Sequence, residues 1–528
     1  MSTDAPRPAP TPDGAAAART RVALVFGGRS SEHAVSCATA ASVLEALDRD
    51  RYDVVPVGIA KDGHWVLAPD DPDALRLAPG HVPEVDTDAA SVIVPTSATD
   101  RTLVVHEAGE PPRTLGEVDV VFPLLHGPFG EDGTIQGLLD LADVRYVGSG
   151  VTASAVMMDK HVMKVLLASA GLPVGPFTVI TDKEWRRDKA AAMDAVHALS
   201  WPVFVKPARA GSSMGITKVS SPEALEAAIE TAREHDPKVV VEAAVFGREI
   251  ECGVLEGRGT DPTRTSELGE CIVVQNHEFY DYEAKYHAAG DVRLETPADV
   301  PAAVAERIRS MAAQAFDAAG CEGLARVDFF LTETGDVLVN EVNTMPGFTP
   351  HSMYPRMWAA TGMSYPDELE AAIEAAREHD PKVVVEAAIF GREIECGVLE
   401  GRGTDATRTS ELGECIVVRN HEFYDYEAKY LAAGDVRLET PADLPAAVAE
   451  RIRGMAAAAF DAAGCEGLAR VDFFLTEGGD VLVNEVNTMP GFTPQSMYPR
   501  MWAASGMSYP DLIDELIALA LERRTGLR

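Results

Sequence analysis

The chain is poor in cysteine. Seven residues in 528, with no CxxC pair, exclude a disulfide framework and a cysteine-built zinc site. No run of 18 apolar residues occurs, so no transmembrane helix is expected. The opening MSTDAPRPAPTPDGAAAART lacks an apolar h-region and reads as a flexible Pro/Ala tail over 1–20, not a signal peptide. Positive charge is in deficit: 46 Lys+Arg against 83 Asp+Glu leave a net −37. A nucleic-acid backbone or an anionic membrane would repel such a surface, so neither is expected as a partner. What is present is globular composition, 46% apolar and 24% charged, which excludes wholesale disorder. The length implies several domains of roughly 100–200 residues. Together these bounds point to a cytoplasmic multidomain protein.

The strongest long-range feature is a repeat. Residues 222–365 recur as 366–509, shifted by 144 without a gap and with 13 mismatches. Six of the seven cysteines are three residues seen twice: Cys252/Cys396, Cys271/Cys415 and Cys321/Cys465. Two long copies are not a stack of short solenoid units. The pattern is that of a recent tandem duplication inside an enzyme of ordinary size, or of an artefact of sequence assembly.

Residues 22–26 form an apolar run ending in Gly27-Gly28, followed by a Ser-rich turn and a helical pattern from about 35 to 47. Strand, loop and helix in that order open a parallel α/β unit. A second α/β segment starts near 151, with a helix at 160–170 and strands at 203–205, 216–219 and 239–242. A strand-rich region with one long helix near 302–319 follows, and 510–522 closes the chain as an amphipathic helix. The expected domains are 21–150, 151–242 and 243–365, then the duplicate 366–509 and a final segment 510–528.

The pattern richest in chemistry is ARVDFFLTETGDVLVNEVNTMPG, 325–347. Thr334-Gly335 reads as a two-residue hairpin turn. Pairing Glu333 with Asp336 then sets Asp328 opposite Glu341 and Arg326 opposite Asn343. Side chains alternate along a strand, so these four share one face. Two adjacent carboxylates repel unless a cation lies between them, and an all-oxygen donor set suits a hard ion such as Mg²⁺ better than zinc. An Arg–carboxylate network on a solvated strand face accounts for the same pattern; the shaped loop Asn343-Thr-Met-Pro-Gly347 favours the metal.

Three loops carry further candidates. In Lys206-Pro-Ala-Arg-Ala-Gly-Ser-Ser-Met-Gly215, the glycines allow N–H groups to converge on an anion beside Lys206, although no Walker A pattern exists; an ordinary hairpin is the alternative. His126-Gly-Pro-Phe-Gly-Glu-Asp-Gly-Thr-Ile-Gln-Gly137 is either a functional loop or a helix start capped by Asp132 and Thr134. Glu32, after Gly27-Gly28-Arg29-Ser30-Ser31, is either a ligand or a helix-dipole partner. Phe279-Tyr-Asp-Tyr-Glu-Ala-Lys-Tyr286 is a loop with four aromatics, more than a plain solvated loop requires.

Taken in order, GGRSSEHAVS, HGPFGEDGTIQG, KPARAGSSMG, YDYEAKY and ARVDFF with NEVNTMPG resemble the D-alanine–D-alanine ligase family of the ATP-grasp superfamily. The resemblance runs from about 22 to 365 and resumes at 510–528. It implies an α/β fold of three-domain ATP-grasp architecture with a Rossmann-like N-terminal domain, to which a duplicated C-terminal segment is added. It also implies ATP, Mg²⁺ (or Mn²⁺) and two D-alanines as ligands, and a homodimer. By this resemblance Glu32 holds the first substrate's ammonium in a set with Ser212 and Tyr286, and His126 lies near the substrate carboxylates. Lys160, Lys206 and Lys285 bind phosphates, and Glu242 and Glu249 bind the nucleotide. Asp328, Glu341 and Asn343 hold the metal, Arg326 and the Gly347 N–H stabilise the oxyanion, and Ser352 takes the second carboxylate. Tyr286 favours D-alanine over D-lactate as second substrate. The alternatives are another ATP-grasp carboxylate–amine ligase, a D-alanine–D-lactate ligase, or a nucleotide-binding chain that the duplication has inactivated.

The duplication repeats Lys429, Tyr430, Arg470, Asp472, Glu485, Asn487 and Ser496, but not Glu32, His126, Lys206 or Ser212. One chain can therefore build one complete site. The first copy is expected to win it, because its connection needs no additional loop closure. Leu369, Ala372 and Ile373 fall at the register of Ile513, Leu516 and Ile517, so the second copy's first helix is expected to replace the missing C-terminal helix.

Overall fold

A computed structural model describes residues 19–522 apart from 79–80, 95–96, 212–213, 274–291, 378–388, 390 and 418–435. Contacts divide the chain into two compact units, one within 1–182 and 190–381, the other within 183–189 and 382–528. Among the described residues no helix is long and apolar enough to cross a membrane.

The first unit opens with β1 (Thr20–Gly27), α1 (His33–Ala46) and β2 (Tyr52–Ile59). β3 (Trp65–Leu67), β4 (Ser91–Ile93), β5 (Thr102–His106), β6 (Arg113–Glu117) and β7 (Val120–Pro123) complete a seven-stranded sheet in the order β6-β5-β4-β3-β2-β1-β7. β1 runs parallel to both β2 and β7. Its central residues are buried because both faces of the sheet are covered, which explains the continuous apolar run. α2 (Thr134–Leu141), α3 (Val151–Met158) and α4 (Lys160–Ser169) follow, the last capped by Asp159.

β8 (Phe177–Ile180), α5 (Asp182–Arg187, which from residue 183 is assigned to the second unit), α6 (Lys189–His197), β9 (Val203–Pro207), β10 (Thr217–Val219), α7 (Leu225–His235) and β11 (Val239–Ala243) come next. The four strands form an antiparallel sheet ordered β10-β9-β11-β8. β12 (Gly247–Leu255), β13 (Arg264–Val273), β14 (Val292–Glu295), α8 (Ala302–Ala319), β15 (Leu324–Thr332) and β16 (Val337–Asn343) build a third sheet, ordered β14-β13-β12-β15-β16. One face of it packs on α8, α3 and α4 in a shared core. α9 (Met353–Thr361) and α10 (Tyr365–Arg377) end this unit. Leu369, Ala372 and Ile373 of α10 lie in one core with Val120 and Phe122 of β7 and Tyr354 and Trp358 of α9. The opening helix of the second copy thus sits in the first unit as its closing helix.

The second unit repeats the third sheet with β17 (Gly391–Leu399), β18 (Arg408–Val417), β19 (Val436–Glu439), α11 (Ala446–Ala462), β20 (Leu468–Thr476) and β21 (Val481–Asn487), ordered β19-β18-β17-β20-β21. α12 (Met497–Ala504) and α13 (Tyr509–Glu522) follow, with Leu512 and Leu519 packed against Leu399, Tyr498 and Trp502.

The β15–β16 hairpin corrects one expectation. Thr332 pairs with Asp336 through Thr332 N–H to Asp336 O (2.9 Å), so the turn holds three residues and Gly335 takes φ +85°. A register shift between Asp328 and Phe329 leaves Asn340 bulged out, which restores Asp328 opposite Glu341 and Arg326 opposite Asn343. A turn one residue longer than expected and a bulge of one residue cancel.

Candidate functional site

Two adjoining cavities lie within the first unit. One, of about 310 Å³, is lined by Glu32, Thr39, His126, Glu131, Gly347 and Ser352. The other, of about 450 Å³, is lined by Lys206, Glu242, Glu249 and Asp328. Lys160, Gly211, Arg326 and Glu341 border both.

In the first cavity, Glu32 stands at the start of α1 without making a side-chain cap bond. Its carboxylate is buried in a glycine cradle instead. A Cβ at Gly127 would stand 2.5 Å from Glu32 Oε2, and one at Gly211 2.7 Å. His126 places Nδ1 3.2 Å from Met345 O and Nε2 3.2 Å from Thr39 Oγ1. Burial pushes its pKa down against the opposing pull of Glu32, which favours neutral imidazole. The expected cap by Asp132 and Thr134 is not what forms: Gly133 is the N-cap of α2 with no side-chain cap bond, and Asp132 accepts from Thr134 N at 3.0 Å and from Phe129 N at 2.8 Å, folding the glycine-rich loop on itself. Ser352, the N-cap of α9, has its hydroxyl 2.9 Å from Thr349 Oγ1, and a Cβ on Gly347 would come within 3.2 Å of it.

In the second cavity, Glu242 sits between Lys206 (3.0 Å) and Lys164 (3.4 Å). Burial opposes its ionisation, yet Lys164, Lys206 and Lys160 hold it down at about 2. Lys160 Nζ donates to Ala210 O at 2.8 Å, tying the start of α4 to the loop after β9. Glu249 and Glu251 alternate with Ile250 along β12, which sets Glu251 beside Asp328 on β15.

On the hairpin face, Arg326 donates from Nε and Nη2 to the two oxygens of Asp328, each at 2.7 Å, and pairs with Glu251 at 3.1 Å. Burial raises the Asp328 pKa to about 7 despite Arg326, with Glu251 and Glu341 adding to the rise. The face therefore carries more buried negative charge than Arg326 alone compensates, and its donors are oxygens, so a hard divalent cation fits it. Among the described residues no cluster of three His, Cys, Asp or Glu stands ready to bind a metal; Asp328, Glu341 and the Asn343 amide offer two carboxylates and a carbonyl. Asn343 Oδ1 accepts from Met345 N at 3.0 Å, which orients the amide.

Of the residues singled out from sequence, Glu32, His126, Lys160, Lys206, Glu242, Glu249, Arg326, Asp328, Glu341, Asn343, Gly347 and Ser352 line these two cavities. Ser212, Lys285 and Tyr286 lie outside the described residues, as do Lys429 and Tyr430. Sequence reasoning missed Glu131, Glu251 and Lys164. Glu131 accepts from Gly127 N, and burial with nearby Glu32 pushes its carboxyl well up. The Glu249-x-Glu251 alternation was the available signal for Glu251; Lys164, four residues after Lys160, shares its helix face.

The second unit keeps the hairpin chemistry. Arg470 pairs Asp472 at 2.7 and 2.6 Å and Glu395 at 3.2 Å, and Asp472 again faces Glu485 and Arg470 faces Asn487. Thr493 and Ser496 hydroxyls stand 2.9 Å apart. Glu32, His126, Lys160 and Lys206 all belong to the first unit, and it is the first copy's hairpin that lines the cavities with them.

The D-ala D-ala ligase N-terminus family model matches 21–149, and the D-ala D-ala ligase C-terminus model matches twice, at 166–368 and 366–518. The chain belongs to the D-alanine–D-alanine ligase family. Relatives in this family include the D-alanine–D-alanine ligase of Paenarthrobacter aurescens (strain TC1), 57% identical over 359 residues, which are 68% of this chain and 95% of that one. The same enzyme of Streptomyces griseus subsp. griseus is 53% identical over 68% of this chain and 93% of its own. Among solved structures, the VanG D-Ala:D-Ser ligase from Enterococcus faecalis is 35% identical with TM-score 0.59, covering 68% of this chain and all of that one. The D-alanine–D-alanine ligase from Coxiella burnetii is 32% identical with TM-score 0.56, covering 68% and 94%. The family's length is thus accounted for by about two thirds of this chain, and the double match locates the surplus in the repeated C-terminal segment.

Proposed function

We propose that the chain is an ATP-dependent ligase that joins two D-alanines into D-alanyl-D-alanine for peptidoglycan precursor synthesis, with the first copy of the repeat forming the site. The observation that carries this reading is the junction of the two cavities: an acid-and-imidazole chamber meets a lysine-and-carboxylate chamber at Arg326, Glu341 and Gly211. That is the arrangement required to bring an amino-acid carboxylate up to a nucleotide phosphate.

In this reading Glu32 holds the ammonium of the first D-alanine, with its carboxylate directed at the junction. Lys160 and Lys206 neutralise phosphate charge, and Glu242 and Glu249 take the nucleotide. The first carboxylate attacks the γ-phosphorus and ADP leaves, giving an acyl phosphate. The second D-alanine, anchored through its carboxylate by Ser352, attacks the acyl carbon with its amine; phosphate departs and the nitrogen gives up its proton. Arg326 and the Gly347 N–H would stabilise the tetrahedral oxyanion. Asp328, Glu341 and Asn343 would hold Mg²⁺ or Mn²⁺, which when bound screens phosphate charge. Neutral His126 donates or accepts near the substrate carboxylates without adding charge. Ser212, Lys285 and Tyr286 join this set by family resemblance.

The test is phosphate release that requires ATP, a divalent cation and D-alanine together, with the dipeptide identified by mass. ATP turnover independent of D-alanine would overturn the reading, and an ester formed preferentially with D-lactate would reassign the second substrate.

A further inference from the structure

α10 and α13 begin with the same residues, Met-Ser-Tyr-Pro-Asp at 363–367 and 507–511. Each ends a grasp sheet's helical layer in its own unit: Tyr365 donates to Phe348 O at 2.5 Å and Tyr509 to Phe492 O at 2.8 Å. From that common start the register sets Glu368 of α10 at the position of Leu512 of α13. Both side chains are wholly buried, each at 0% exposure. In the repeat this position is one of the 13 mismatches, alanine in one copy and glutamate in the other. α10 is the second copy of the 222–235 segment, where the corresponding residue, Ala224, is exposed and Leu225, Ala228 and Ile229 form the buried stripe. The same apolar stripe now serves a different seat through Leu369, Ala372 and Ile373, and that seat has an additional core position which the stripe does not supply.

Neither oxygen of Glu368 has a hydrogen-bond partner among the described residues. Among the described side chains, the surrounding elements supply no positive charge to it. α9 presents Tyr354, whose hydroxyl is committed to Val254 O at 2.8 Å, and Arg356, which donates to Leu294 O at 2.8 Å. β7 (Val120–Pro123) carries no titratable side chain. On α1, His33 bonds Gly28 O, Glu45 pairs with Arg76, and the Cys37 thiol is buried. On α10 itself, Asp367 accepts from Ser364, Glu370 pairs with Arg51, and the Tyr365 hydroxyl is committed to Phe348 O. Burial raises the Glu368 pKa to about 9.

We propose that α10 is a pH-sensitive latch: it clamps the N-terminal sheet to α9 while the Glu368 carboxyl is neutral, and ionisation of that carboxyl unseats it. The direction follows from linkage. The carboxyl is neutral in the seated helix and ionised in the unseated one above the ordinary carboxyl range, so seating takes up a proton and weakens as pH rises until about 9. Each pH unit in that window shifts the equilibrium about tenfold towards the unseated form. Unseating exposes Leu369, Ala372 and Ile373 and removes the Tyr365 bond to Phe348, one residue from Gly347.

Hydrogen exchange along α10 and thermal unfolding of the full chain test the latch, with Glu368→Gln and Glu368→Leu beside the wild type from pH 6 to 9. The expected result is wild-type protection of α10 that falls about tenfold per pH unit after correction for intrinsic exchange, against flat profiles in both variants, with Glu368→Leu the more protected at every pH. The glutamine variant keeps the shape and buried polarity of the side chain, so it separates ionisation from packing. Equal pH dependence in wild type and Glu368→Gln overturns the proposal. Neither readout needs ligase turnover, so the outcome is independent of the proposed activity.

Discussion

Arg326 and Asp328, two residues apart on β15, form a bidentate pair at 2.7 Å for each oxygen, and Glu251 on the neighbouring strand closes on the same guanidinium at 3.1 Å. The same trio recurs as Arg470, Asp472 and Glu395 in the second unit. Local geometry therefore does not distinguish the copies; only the groups that share a cavity with them do.

That difference makes the copies separable by mutation. Asp328→Asn with Glu341→Gln is expected to lower kcat by about 100-fold or more, since in the proposed reading each removes charge where the metal and phosphate would bind. Asp472→Asn with Glu485→Gln should leave kcat within about twofold. Steady-state phosphate release measures both, and equal losses would refute the assignment of the site to the first copy.

The glycine cradle around Glu32 predicts a substrate-binding defect. A methyl at Gly211 would stand 2.7 Å from Glu32 Oε2 and must displace the carboxylate. Gly211→Ala is expected to raise the KM for D-alanine by roughly 10–100-fold, the worth of a charge-assisted bond, while unfolding temperature changes little. Initial rates across D-alanine concentration give the answer; an unchanged KM would show that Glu32 does not touch the substrate.

Glu242 supplies an acid-limb signature. Its folded pKa, about 2, lies below its ordinary value of 4.5, so its contribution is present above pH 4.5 and is lost as pH falls towards 2. The shift corresponds to about 3 kcal/mol. Glu242→Gln should flatten that part of the stability–pH curve, followed by urea unfolding. Lys164→Met, which removes one buried partner, should destabilise by about 3–5 kcal/mol.

The second hairpin exposes an apolar surface that its twin covers. Val483 and Met489 are 45% and 78% exposed, whereas Val339 and Met345 are 1% and 4% exposed. Val483→Thr with Met489→Gln is expected to reduce concentration-dependent self-association, read by light scattering, with no loss of stability. The matching changes at Val339 and Met345 should destabilise the first unit by about 2–4 kcal/mol.

Much of the fold and part of the candidate site are legible in the sequence. The β1–α1 opening, the hairpin face and the oxygen-donor set followed from apolar runs and strand alternation, which are local properties. The turn was misread because a three-residue loop and a bulge at Asn340 shift the register in opposite senses, and only the hydrogen-bond ladder exposes the two separately. Glu131 and Lys164 escaped notice because their significance lies in burial beside Glu32 and Glu242, groups distant in sequence.

The repeat sets the boundary between the two kinds of knowledge. Sequence alone determined that the chain carries one N-terminal set of candidate residues and two near-identical hairpins, because residue identity and alternation suffice to place the hairpin side chains on a common face. Tertiary structure decided which hairpin lines the cavities, that α10 closes the first unit, and that Glu368 is buried where α13 has a leucine. Burial is a property of what packs against a residue, so two copies of one segment can have the same strands and opposite environments.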